Sequence, residues 1–97
     1  MKIIWTLDAE LSLIEISDDI QKKFSTKEVE KFLIEVQQVL HSIKEFPKAY
    51  PKTNFKRIKG CHKVVVHPHT SIFYKIEGSK VILLLFWDNR NNPKEIK

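Results

Sequence analysis

Apolar residues change their spacing about halfway along the chain. Up to Ile43 they recur every three or four positions, and from Phe55 they alternate or run together. The first regime predicts helices and the second predicts strands. Before either, Lys2–Trp5 reads as a short opening strand. Thr6 can cap the helix that follows, with Asp8 and Glu10 placed well for its N-terminal dipole. Ala9, Leu13, Ile16, Ile20 and Phe24 form one apolar stripe on that helix; Leu7, Leu11 and Ile14 form a second. Two stripes imply contact with two neighbours. Ser25-Thr-Lys-Glu28 is a capping box, with Phe24 and Val29 at the positions of a hydrophobic staple around it. The second helix presents Val29, Phe32, Leu33, Val36, Leu40 and Ile43, and Pro47 ends it by about Glu45. The two helices should therefore form a hairpin with almost no loop.

The connector 46–51 carries two prolines, and its aromatics Phe46 and Tyr50 should lie against the end of the hairpin. Beyond it, strands are expected at 55–59, 62–67, 71–77 and 80–87. Gly60 reads as a turn and Gly78-Ser79 as a two-residue hairpin connection. The order β–α–α–β–β–β–β predicts an α+β domain, a helical hairpin packed on a curved antiparallel sheet of four to five strands. No repeat, linker or composition shift divides residues 1–97, so a single domain is expected.

The helices can cover one face of such a sheet. Lys63, Val65 and His67 alternate with Val64 and Val66, and Ser71, Phe73 and Lys75 alternate with Ile72, Tyr74 and Ile76. Candidates for the uncovered face are Arg57, Lys59, Lys63, His67, Lys75 and Arg90. A register slip of one residue would exchange the two sets. Arg90 has a further claim. Seven apolar residues, Val81 to Trp87, end abruptly in Asp88-Asn-Arg90. A doubly buried strand there would deliver Arg90 to the rim of the sheet, where it could meet a phosphate or a carboxylate; the alternative is an ordinary surface arginine.

Charge adds a direction. The net charge of +5 divides into −3 over residues 1–43 and +8 over residues 44–97. The stretch 44–63 holds seven cations against Glu45. Such a field suits an anionic partner, though a solvated basic face with no partner reads the same way. Cys61 is the lone cysteine, which excludes an internal disulfide and fits a reducing compartment; beside Gly60 it reads as a small loop residue. Acidic residues at positions 8 and 10 come too early for a secretory signal, so a cytoplasmic location is expected, with no membrane span. His67 and His69 straddle Pro68 without a carboxylate or cysteine at ligand spacing, so no metal is expected. With only Gly60 and Gly78 there is no phosphate loop, and no cofactor is expected.

Over nearly its whole length the chain resembles the RelE/ParE superfamily of toxins from type II toxin–antitoxin modules. The resemblance lies in Ile3-Ile-Trp5 followed by Ala9 and Leu11, in Phe46-Pro47 and Tyr50-Pro51, and in Val64-Val-Val-His-Pro68 before Ile72-Phe-Tyr-Lys-Ile76. That last pair of segments and the tail Trp87-Asp-Asn-Arg-Asn-Asn-Pro93 resemble the ParE branch in particular. The resemblance implies a growth-inhibiting toxin held in check by a cognate antitoxin, as a dimer or a toxin–antitoxin hetero-oligomer. On the ParE model the toxin binds DNA gyrase, with Arg57, Lys59, Lys75 and Arg90 as target- or antitoxin-binding residues. On the RelE model it is an endoribonuclease cutting mRNA on the ribosome, and Lys63, His67 and Arg90 would be its catalytic set. The chain departs from the RelE pattern: Ser71 stands where a strand arginine is expected, and no Tyr or His follows Arg90. A third possibility is a non-toxic member of the family that survives as a binding module.

Overall fold

The computed structural model describes residues 1–55, 58–67 and 69–90, with every side chain among them except that of His67. The chain begins with strand β1 (Lys2–Trp5) and passes directly into helix α1 (Leu7–Lys23). The Thr6 side chain accepts the Ala9 N–H, satisfying one donor that the first helical turn leaves unpaired. Helix α2 (Thr26–Glu45) starts the same way, with Ser25 accepting the Glu28 N–H at 3.2 Å. Four strands follow: β2 (Lys52–Phe55), β3 (Ile58–His67), β4 (Thr70–Glu77) and β5 (Lys80–Asp88). They form one sheet with β1, in the order β1-β5-β4-β3-β2.

This is the expected α+β architecture of a helical hairpin on a sheet, with one refinement. β1 pairs with β5 in parallel, while the other three pairings are antiparallel. A parallel neighbour needs a long crossover, and the helical hairpin is part of that crossover. Two strand boundaries also differ from the periodicity. β2 lies three residues earlier than the spacing suggests, and Gly60 sits inside β3 rather than at a turn. Gly60 has φ +66, and its N–H donates to Asn54 Oδ1 at 2.8 Å, beside a register shift between Thr53 and Phe55. The glycine thus serves a local irregularity of the β2–β3 ladder, which in sequence looks like a turn. Cys61 correspondingly lies buried in a strand and not in a loop.

The core lies between the helices and one face of the sheet. Ala9, Ile16, Phe32, Val36 and Ile43 pack there against Val64, Ile72, Tyr74, Val81, Leu83 and Phe86. The alternation expected along β3 and β4 is therefore the one observed. β5 behaves differently. Its partners jump from Phe73↔Leu85 to Tyr74↔Leu83, leaving Leu84 as an extra residue. That bulge resets the alternation and brings Phe86 to the core side, with its ring stacked on Trp5 at 5.6 Å. β1 ends opposite Leu83, so the β5 edge beyond it has no strand neighbour among the described residues. The N-cap and first turns of α1 meet that edge: the Leu83 carbonyl accepts both the Thr6 backbone N–H at 3.3 Å and the Thr6 hydroxyl at 2.7 Å, and the Ser12 hydroxyl accepts the Phe86 N–H at 2.9 Å.

These two hydroxyls should carry stability. Thr6→Ala, which uncaps the Ala9 N–H, and Ser12→Ala, which leaves the Phe86 N–H unpaired, are each expected to lower the unfolding free energy in urea by about 1–3 kcal/mol, the cost of an unpaired, partly buried backbone group. The exposed Gln21→Ala on the same helix should change it by less than about 0.5 kcal/mol.

Candidate functional site

Asp88 and Arg90 lie at the end of β5, where the sheet meets α1. The Arg90 guanidinium donates to both Asp88 carboxylate oxygens, through Nε at 3.0 Å and Nη2 at 2.7 Å, and the Arg90 backbone N–H adds a third bond at 3.0 Å. Nη2 also approaches Asp19 of α1 at 3.5 Å, and Asp19 in turn pairs with Lys23 at 3.3 Å. The Arg90 side-chain hydrogen bonds hold the Asp88 carboxyl below the usual carboxylate range, against the opposing effect of its burial. The same bonds, with the Asp88 and Asp19 charges, push the Arg90 guanidinium further up. Arg90 is thus a rim arginine clasped by its own chain.

Beside it opens a cleft of about 280 Å³ between the helices and the end of the sheet. Ile16 and Ile20 of α1, Phe24 at its C-terminal cap and Phe32 of α2 give it an apolar floor, and Thr70 and Arg90 close one side. Phe24 is 66% exposed and lines this cleft, so most of its surface is open to solvent. Phe46 is equally exposed, while Tyr50 does reach the hairpin, its hydroxyl 2.9 Å from that of Ser42.

The remaining candidates lie elsewhere. Lys63 is exposed and pairs with Phe73, on the face away from the helices. Lys75 is half-buried on the same face, opposite Ile82. Lys59 is exposed near the start of β3. Arg57, the His67 side chain and the tail beyond Arg90 lie outside the described residues. That outer face is not simply basic. Phe55 stacks on Phe73 with centroids 4.2 Å apart and meets Trp87 edge-on at 5.2 Å, forming a small second apolar cluster. Ser71 donates to Asn89 Oδ1 at 2.9 Å, tying this face to the segment that carries Arg90. Lys63 and Arg90 therefore sit on opposite sides of the sheet, while the third member of the proposed set, the His67 side chain, lies outside the described residues.

The periodicity gave no indication of the buried polar work of His62 and Tyr74. Nδ1 of His62 meets the Tyr50 carbonyl at 2.7 Å, which places the proton on that nitrogen, and the ring stacks on Tyr74 at 5.0 Å. Tyr74 donates to the Pro47 carbonyl at 2.7 Å; burial and the neighbouring Tyr50 push its pKa up to about 12, so the donor proton is retained. These bonds fasten the connector to the sheet.

The second stripe on α1 finds no second neighbour among the described residues. Leu7 is 67% exposed, Leu11 49% and Ile14 55%. Asp8, Glu10, Glu15 and Asp18 lie beside them on the same helix.

Family comparison agrees with this architecture. Residues 3–93 match the family described as the ParE toxin of the type II toxin–antitoxin system parDE, and the chain belongs to that family. Solved structures share the fold. A chain of the chromosomal ParDE toxin–antitoxin system from P. aeruginosa superposes with TM-score 0.74 at 13% identity, covering 91% of this chain and 95% of its own. A YoeB/ParE toxin from Agrobacterium tumefaciens gives 0.61 at 15% identity, with 91% and 98% covered. A copper-bound mutant toxin from Helicobacter pylori gives 0.60 at 12% identity, with 93% and 96% covered. No curated protein matches the sequence significantly. The chain is accordingly a toxin component of a type II toxin–antitoxin system.

The clasp predicts a pH signature. A carboxyl held low in the folded state stabilises that state above its unfolded value, and the contribution disappears as pH falls through the folded value. Wild-type stability should therefore decline between about pH 5 and pH 2 more steeply than that of Asp88→Asn, the two converging at the acid end. Urea unfolding at a series of pH values reads the difference.

Proposed function

We propose that this toxin arrests growth in the cytoplasm by binding DNA gyrase, and that its antitoxin silences it through the apolar stripe of α1. The observation that carries the first half is the separation of Lys63 from Arg90. Ribosome-dependent RNA cleavage needs a base, an acid and cations converging on one phosphate. Here the strand lysine and the tail arginine lie on opposite sides of the sheet, and the guanidinium already holds two carboxylates. A binding role demands no such convergence, and membership of the ParE family supports gyrase as the target. No described helix is long and apolar enough to cross a membrane.

The second half rests on Leu7, Leu11 and Ile14. An exposed apolar stripe rimmed by carboxylates suits an amphipathic segment with apolar anchors and flanking lysines or arginines. A neutralising antitoxin of this family is the partner that needs such a surface.

Purified toxin added to gyrase and relaxed plasmid should block supercoiling, or trap cleaved DNA, at near-stoichiometric amounts. Folded toxin that arrests growth, spares gyrase and cuts ribosome-bound mRNA would replace this reading with the ribonuclease one. Folded toxin without effect on growth would mark a non-toxic binding module. For the stripe, Leu11→Lys and Ile14→Lys should each weaken antitoxin binding about tenfold or more, the equivalent of about 1.4 kcal/mol, and leave growth arrest intact.

A further inference from the structure

At the end of the sheet remote from Arg90, the start of β3 and the end of β4 border an open groove of about 670 Å³. Lys48 of the connector, Lys52 of β2 and Lys75 of β4 line it, and among the described residues no carboxylate does. Three cations from three separate segments converge there, although 23 positions separate Lys52 from Lys75. We propose that this groove is a binding site for the phosphate backbone of duplex DNA.

Several observations favour that ligand over others. The cations are all lysines, compact point charges that can neutralise a run of phosphates without imposing the bidentate geometry of arginine, and the arginine among the described residues, Arg90, is already engaged by Asp88 elsewhere. The apolar lining amounts to Pro51 and Ile76, too little to anchor a peptide by buried hot spots. Its aromatic groups are largely turned to the protein: the His62 ring is buried against Tyr74, and half-buried Tyr50 packs against the core with its hydroxyl engaged by Ser42. Single-stranded nucleic acid is held chiefly by base stacking on exposed rings, whereas a duplex presents its backbone. The cysteine nearby is inert. Burial raises the Cys61 thiol above its ordinary value, so it stays neutral beside Lys75. The whole chain has a pI near 9.4, in the range typical of nucleic-acid-binding domains.

The site is independent of the gyrase reading and is tested without gyrase. Binding of the full-length toxin to a fluorescent duplex of random sequence is measured by anisotropy across a salt series. Three phosphates neutralised should give a log–log salt slope of about −2.7, at about −0.9 per phosphate. Lys48→Gln, Lys52→Gln and Lys75→Gln should each make the slope shallower by about one, and the triple variant should lose at least about tenfold in affinity at low salt. Lys22→Gln, an equal charge change on α1, should leave the slope unaltered. Glutamine keeps most of the aliphatic stem of half-buried Lys75, and circular dichroism melts confirm that each variant is folded. A triple variant that binds like the Lys22→Gln control overturns the site. So does a wild-type protein that prefers single-stranded RNA or an acidic peptide to the duplex.

Discussion

The free edge of β5 is the constraint on which the rest of the structure depends. β1 covers that edge only as far as Leu83, and the bulge at Leu84 interrupts the ladder on the other side. Buried backbone groups without partners cost more than most side-chain contacts return. Thr6 and Ser12 meet them from α1, one hydroxyl donating and the other accepting. This fixes both the depth and the direction at which α1 leaves β1. Trp5 can then stack on Phe86, Ala9 can sit fully buried against the sheet, and Asp19 arrives within reach of Arg90 at the far end of the same helix.

Much of this fold is legible in the sequence because its strongest signals are local. The caps at Thr6 and Ser25, the helical stripes, the Pro47 stop and the Gly78-Ser79 hairpin act over a few residues each, and the structure realises them. The parallel β1–β5 pairing and the Leu84 bulge are not local. An unbroken apolar run such as Val81 to Trp87 contains no alternation, so an extra residue within it leaves no trace in the pattern. Gly60 misleads for a related reason: the left-handed backbone that favours glycine serves a bulge as well as a turn.

The candidate residues illustrate the same division. Asp88 and Arg90 are two positions apart, and their pairing could be suspected from sequence. Asp19 is 71 residues from Arg90, and only the docking of α1 on β5 brings them together. The exposed stripe of Leu7, Leu11 and Ile14 is visible as a pattern, yet the second neighbour that the pattern implies is not found among the described residues. The groove lysines carry a signal of charge but none of convergence, since Lys75 joins Lys48 and Lys52 only through the β2–β3 and β3–β4 registers.

The polar chemistry of the interior is engaged in architecture. Thr6, Ser12, Ser42, Tyr50, His62, Ser71 and Tyr74 all bond to backbone or to other side chains, and no buried side-chain polar atom among the described residues lacks a partner. A domain of this size has one core and little volume for an enclosed pocket. Besides the cleft next to Arg90, it offers two surfaces of opposite charge: an apolar stripe edged by acids on α1, and a lysine groove at the end of the sheet. Their opposite charges favour different partners, because a basic segment drawn to α1 is repelled by the groove and a polyanion drawn to the groove is repelled by α1. On the two proposals made above, the uneven charge of the two halves of the chain would sort a silencing partner from an anionic one without requiring either surface to change shape.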